Sequence, residues 1–155
     1  MTNTTLTHKV KQLIADKAEL AMPDLYINVF VAPDDAQEER ALAEIFSRSY
    51  CSRADSPDAA DLVVFGGGAD VNPSLYNADA MDCSKYDDER DKGDIGLFLN
   101  CVSKGIPMVG ICRGAQFIWA MNGGTLYQDV DNHYGDHTMF GKGFEAFRVS
   151  STHHQ

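Results

Sequence analysis

Gly110-Ile111-Cys112-Arg113-Gly114 places one cysteine between glycines two positions before it and two after, where an apolar run gives way to a helical pattern. A strand that turns sharply into a helix leaves little room at the turn, so small residues flank it and the turn side chain projects from the sheet edge. This is the spacing of a nucleophile elbow. A thiolate there would attack a carbonyl carbon, and a helix beginning at Cys112 would favour the thiolate through the positive end of its dipole. Such chemistry ordinarily uses a histidine oriented by an acid. No His-x-Glu occurs in the sequence, whose last residues are Ser151-Thr152-His153-His154-Gln155.

Other residues invite a chemical reading and mostly return a structural one. Gly66, Gly67 and Gly68 suit a strand-ending turn or a phosphate loop, but no Gly-Lys-Ser/Thr follows. His133 and His137 are four apart and could join His153 or His154 on a metal. Gly135 between them argues for a loop, and no Cys or Glu accompanies them at a ligand spacing, so neither a metal nor a cofactor is expected. Cys51, Cys83, Cys101 and Cys112 form no CxxC pair and read as reduced thiols, with Cys101 a small core residue of a helix. The acidic stretch Asp87 to Asp94 reads as a solvated helix start favoured by the helix dipole.

These residues need a scaffold, and the composition supplies one domain's worth. The chain has 155 residues, 44% of them hydrophobic, and carries 13 Lys plus Arg against 23 Asp plus Glu, a net charge of −10. That balance argues against a nucleic-acid partner, and no apolar run approaches the length of a membrane span, so a cytoplasmic protein is expected. Periodicity predicts a helix over 10–20, a strand over Leu25 to Val31, a helix from Asp34 or Asp35 to about Ser49, and an extended piece near Tyr50 to Arg53. It then predicts the strand Leu62 to Phe65, a long polar loop from Ala69 to Tyr86, a helix from Asp88 to Lys104 closed by Gly105, and the strand Ile106 to Ile111. A helix follows to Asn122, stopped by Gly123-Gly124; Gln128 to Lys142 reads as a loop over the pocket, and Phe144 to Val149 as a last strand. Strands alternating with helices imply a three-layer α/β fold with a mostly parallel sheet, which binds ligands at the carboxyl ends of its strands. Both glycine-rich turns fall at such ends.

Four segments in register carry a family resemblance: Phe65 to Tyr76 (FGGGADVNPSLY), Asp87 to Asp91 (DDERD), Ile106 to Gln116 (IPMVGICRGAQ) and Gly123 to Asp129 (GGTLYQD). Together they resemble the class I glutamine amidotransferase-like family, and within it the gamma-glutamyl-gamma-aminobutyrate hydrolase type. The resemblance implies a flavodoxin-like sheet over residues 1–155 and a catalytic Cys112. It also implies an oxyanion hole from the backbone N–H groups of Gly67 and Arg113, and substrate contacts from Gln116, one turn beyond the cysteine on the same helix face. Ser151, Thr152 and His153 would contact the amino-acid part of the substrate, with Ser150 where the family has asparagine. Cys112 would then cleave a gamma-glutamyl amide or the glutamine amide through a glutamyl thioester. Family members carry their His-Glu pair in a His-Pro-Glu segment, so the chain reads as about the first two thirds of a family domain, its last strands missing. A synthetase receiving ammonia, or a second copy of the chain, is the expected macromolecular partner. The alternatives are a non-catalytic short form that binds glutamine-like ligands or a protein, and another cysteine-elbow protein of similar fold acting on small carbonyl compounds.

Overall fold

In the computed structural model, the described residues are 27–32, 40–42, 44, 51–141, 143–151 and 153–154. The helix expected over 10–20, Thr152 and Gln155 lie outside them, as does most of the helix expected after Asp34, of which 40–42 and 44 are helical.

Four short strands form one parallel sheet: β1 (Ile27–Ala32), β2 (Cys51–Arg53), β3 (Leu62–Phe65) and β4 (Met108–Gly110), in the order β2-β1-β3-β4. Val63 and Val64 point to opposite faces of β3 and both are fully buried, as a sheet covered on both sides requires. The order is that of flavodoxin-like sheets, whose ligand crevices lie at the carboxyl ends of the strands. Register makes that edge level: Ala32 pairs with Phe65 and Phe65 with Gly110, so the two glycine turns leave the sheet side by side.

Two helices follow from local signals. Helix α1 (Asp88–Lys104) starts at Asp87, whose carboxylate accepts from Glu89 N at 2.9 Å and Arg90 N at 3.1 Å, and stops at Gly105 in the left-handed region with φ 68°. Helix α2 (Arg113–Met121) begins directly after Cys112. Between them and β3 sits the core, where the Phe117 ring meets Phe65 at 5.4 Å and Phe98 edge-on at 6.1 Å, with Val71, Tyr76, Cys101 and Ala120 around it. Beyond α2, Gly123 turns the chain with φ 82°, and Gly124 passes so close to the Trp119 indole that a Cβ would enter the ring. Trp119 Nε1 donates to Thr125 O at 2.9 Å.

The polar loop after β3 is more ordered than its composition suggests. A short 3-10 turn, Pro73–Tyr76, is capped by the Asn72 side chain, which accepts from Ser74 N at 2.9 Å. Gln128 then cross-links the loop from the far side. Its Oε1 accepts from Met81 N at 3.0 Å and Ser84 Oγ at 2.6 Å, and its Nε2 donates to Asp79 O at 2.8 Å.

Two expectations are corrected. The strand predicted over 106–111 is confined to Met108–Gly110, because Ile106 N closes the end of α1 on Cys101 O and Cys112 already belongs to the turn. The segment read as a loop over 128–142 contains a strand, β5 (Gly135–Gly141), which pairs antiparallel with β6 (Phe144–Ser151) in a separate two-stranded sheet. The Asp, Gly and His residues that suggested a loop sit at its start, whereas Thr138, Met139 and Phe140 behind them are strand formers. No described helix is long and apolar enough to cross a membrane.

Because Phe117 touches both β3 and α1 through its ring, Phe117→Ala should lower the unfolding free energy by about 3–5 kcal/mol, read from urea denaturation.

Candidate active site

Cys112 occupies the turn between β4 and α2 with φ 55° and ψ −119°, and is exposed. A β-carbon is disfavoured there, at a cost of about 1–3 kcal/mol that the surrounding contacts must offset. Those contacts explain both flanking glycines. A Cβ on Gly110 would collide with the backbone of Gly114 and Ala115, and one on Gly114 would collide with the Phe65 carbonyl. With no side chains in the way, Ile111 N donates to Phe65 O at 3.0 Å and Gly114 N to Gly66 O at 2.9 Å. The elbow is thus stitched to the exit of β3. Gly66 and Gly67 are buried beside it, and Gly68, at φ 125°, turns the chain outward.

Arg113, the residue after the cysteine, points its side chain into the protein and is only 2% exposed. Its guanidinium is divided between two carboxylates of α1. Nη1 donates to Asp94 Oδ2 at 2.5 Å, Nη2 pairs with Asp91 Oδ1, and the group lies 5.6 Å from the Phe117 ring centre. Asp91 also accepts Asn72 N at 3.0 Å, and Asp94 accepts Arg90 Nε at 3.1 Å. Arg90 in turn reaches Ala32 O at the end of β1, at 3.2 Å. Burial pushes the Asp91 carboxyl above the usual carboxylate range, opposed by the Asn72 N–H and by Arg113. The acidic stretch read as a solvated helix start is therefore corrected: Asp91 and Asp94 are 3% and 4% exposed and neutralise a buried cation, while Asp88 and Glu89 face solvent.

Gln116 lies one turn along α2 from Cys112, and its Nε2 is 3.5 Å from His153 Nδ1. Structure thus joins two of the residues expected to bind substrate. Ser151 is buried instead, its hydroxyl donating to His153 O at 3.2 Å and accepting from His153 N at 3.4 Å, which fixes the chain at the end of β6. Thr152 lies outside the described residues. His153 also packs edge-on against His133 at 4.7 Å, and the His133 ring lies tilted against that of His137 at 4.8 Å. This imidazole row ties the β5–β6 hairpin to α2, and no group of three ligands able to hold a metal occurs among the described residues. Burial, then His153 and His137, pulls His133 below its ordinary value. His154 bridges the glycine loop to the segment after α2, with Nε2 at 3.4 Å from Asp70 and Nδ1 at 3.3 Å from Asp129.

The sequence pattern missed Asp91, Asp94, Asn72 and Gln128. Only the four-residue spacing of Arg90 and Asp94, and the recurrence of carboxylates on one face of α1, hinted that the acidic run had a buried side.

A parallel α/β sheet with a cysteine on a strand-to-helix turn is the fold arrangement of a nucleophile elbow. The chain belongs to the peptidase C26 family, which matches residues 52–155. It is 35% identical over 71 residues to a protein of Lactococcus lactis subsp. cremoris provisionally named a glutamine amidotransferase-like protein, covering 45% of this chain and 38% of that one. It is 32% identical over 82 residues to a provisionally named glutamine amidotransferase of Mycobacterium tuberculosis, covering 50% and 27%. A glutamine-hydrolysing GMP synthase of Desulfotalea psychrophila is 33% identical over 66 residues, covering 43% and 12%. The matched stretches span well under half the length of these relatives.

Two measurements check the site's energetics. Asp94→Ala leaves Arg113 buried with half its compensation and should cost about 3–5 kcal/mol of stability in denaturant unfolding. His133 is a base whose folded-state value is depressed, so the unfolded chain binds more protons at mildly acidic pH. Stability should hold above about pH 6.5 and fall as pH drops below it, and His133→Gln should flatten that slope in unfolding curves at pH 5.5 and 7.5.

Proposed function

We propose that Cys112 is the nucleophile of a hydrolase acting on the gamma-carbonyl of glutamine or of a gamma-glutamyl amide, gamma-glutamyl-gamma-aminobutyrate being the favoured type of substrate. The observation that carries this reading is the conformation of Cys112 itself: a non-glycine residue held at φ 55° and exposed at the carboxyl edge of the sheet, beside a buried glycine loop. Membership in a cysteine-dependent family and relatives named for glutamine chemistry support it.

The thiolate sulfur forms a bond to the carbonyl carbon of the gamma-carboxamide, and the carbonyl π electrons move onto oxygen. The resulting oxyanion is assigned to the backbone N–H groups of Gly67 and Arg113, a pairing supported by the bond from Gly114 N to Gly66 O that ties the two turns together. Collapse breaks the carbon–nitrogen bond, the nitrogen leaves as the free amine carrying the proton that the Cys112 thiol gave up, and a glutamyl thioester remains on Cys112. Water then releases glutamate and regenerates the thiol. Each N–H donor contributes about 3 kcal/mol of barrier lowering, on the order of a hundredfold in rate. Binding of the amino-acid part is assigned to Gln116, Ser151, Thr152 and His153, a reading supported by the Gln116–His153 contact and by the bond through which Ser151 fixes His153. A reduced thiol suits the cytoplasm, and ammonia is either released or handed to a synthetase. Neither a metal nor a cofactor enters the scheme.

The full-length protein, incubated with the glutamine analogue 6-diazo-5-oxo-L-norleucine, should gain one covalent adduct mapped by mass spectrometry to Cys112. Glutamine should protect against the adduct, and Cys112→Ala should abolish both the adduct and amide hydrolysis. An adduct on another cysteine, or hydrolysis surviving in Cys112→Ala, would refute the assignment.

A further inference from the structure

The buried carboxylate of Asp91 bridges two chain segments that are otherwise separate in sequence. One oxygen takes the guanidinium of Arg113, whose own backbone N–H follows the cysteine; the other takes the backbone N–H of Asn72, in the loop that begins with Gly66 and Gly67. We propose that Asp91 is a positioning residue that sets the spacing between the two oxyanion donors, holding the Gly67 loop and the Arg113 turn in one rigid frame. This rests on the reading given under Proposed function and deepens it.

Three observations carry the inference. Both oxygens are used, on partners from different sides of the site, and the carboxylate is buried, so neither link is exchanged for water. The remaining contacts of the frame complete it without substituting for it: among the described residues Asp94 holds the other guanidinium nitrogen and Arg90, and makes no hydrogen bond to the Asn72 loop. Finally, Asn72 is anchored to the same helix a second time, its Nδ2 donating to Asp88 Oδ1 at 2.7 Å, so the loop follows α1 and α1 follows Arg113. Two donors must meet one developing charge, and a shift of about 1 Å at either can cost on the order of a hundredfold in rate.

Asp91→Asn is the informative substitution. An amide nitrogen can accept neither the guanidinium nor the Asn72 N–H, so one arm is cut in either orientation. In the full-length protein we expect glutamine or gamma-glutamyl amide hydrolysis to lose about thirty- to a hundredfold in kcat with KM within about threefold. Alkylation of Cys112 by iodoacetamide, which forms no oxyanion, should keep its rate within about threefold. Asp91→Glu, which retains both acceptors, should recover part of the loss. Should Asp91→Asn fail to fold, Asn72→Pro is compared with Asn72→Ala: both lose the side-chain bonds to Ser74 and Asp88, and only the proline, which the φ of −54° already suits, also deletes the bridging N–H, so the loss in kcat should be confined to the proline variant. Unchanged kcat in the folded variant overturns the inference, as does a parallel loss of iodoacetamide reactivity, which would mean that the elbow as a whole had been disturbed. Wild-type protein that neither hydrolyses the amides nor forms the Cys112 adduct instead removes the hydrolase reading, and this inference with it.

Discussion

A single buried cation organises the carboxyl edge of the sheet in this protein. Arg113 emerges from the first turn of α2 into the interior, where it is surrounded by Asp91, Asp94 and the face of Phe117. Taking a guanidinium out of water is unfavourable by several kcal/mol unless its hydrogen bonds are satisfied, so α1 must lie where its carboxylates can meet it. Arg90 adds a second cation to the same cluster and links it to Ala32. Two arginines thus balance two aspartates, and the group connects β1, the loop after β3, α1 and the elbow.

Around that cluster the site is built mainly from backbone. Gly110 and Gly114 permit the approach of α2 to β3, and Gly66 to Gly68 supply a loop with no side chains to intrude. Polar side chains then brace the outer wall. Gln128 fixes the loop before α1 through both ends of its amide, and His154 joins Asp70 to Asp129. The β5–β6 hairpin approaches α2 through the contact of His153 with Gln116. Rigid elements carry Cys112, while longer-range contacts between loops hold the segments around it.

The parts that were legible in the sequence were those with local causes. Helix α1 was readable to the residue because Asp87 caps one end and Gly105 the other, and the elbow was readable because its glycines are steric necessities at fixed spacing. Strand β5 was not, because the Asp, Gly and His residues at its start mask the strand formers behind them. Arg113 could be placed at the site, but its partners lie about twenty positions away, a pairing that follows from packing α1 on α2 and leaves no mark on periodicity. The acidic run looked solvated for the same reason: local charge pattern does not say which face is covered.

The backbone at Cys112 sits where glycine would be at ease. A single base change converts a cysteine codon to a glycine codon, so mutation repeatedly offers this position a replacement that folding alone would welcome. With Cys112 in the role proposed above, stability and chemistry pull in opposite directions at the elbow, since glycine would relieve the backbone and remove the reactive group.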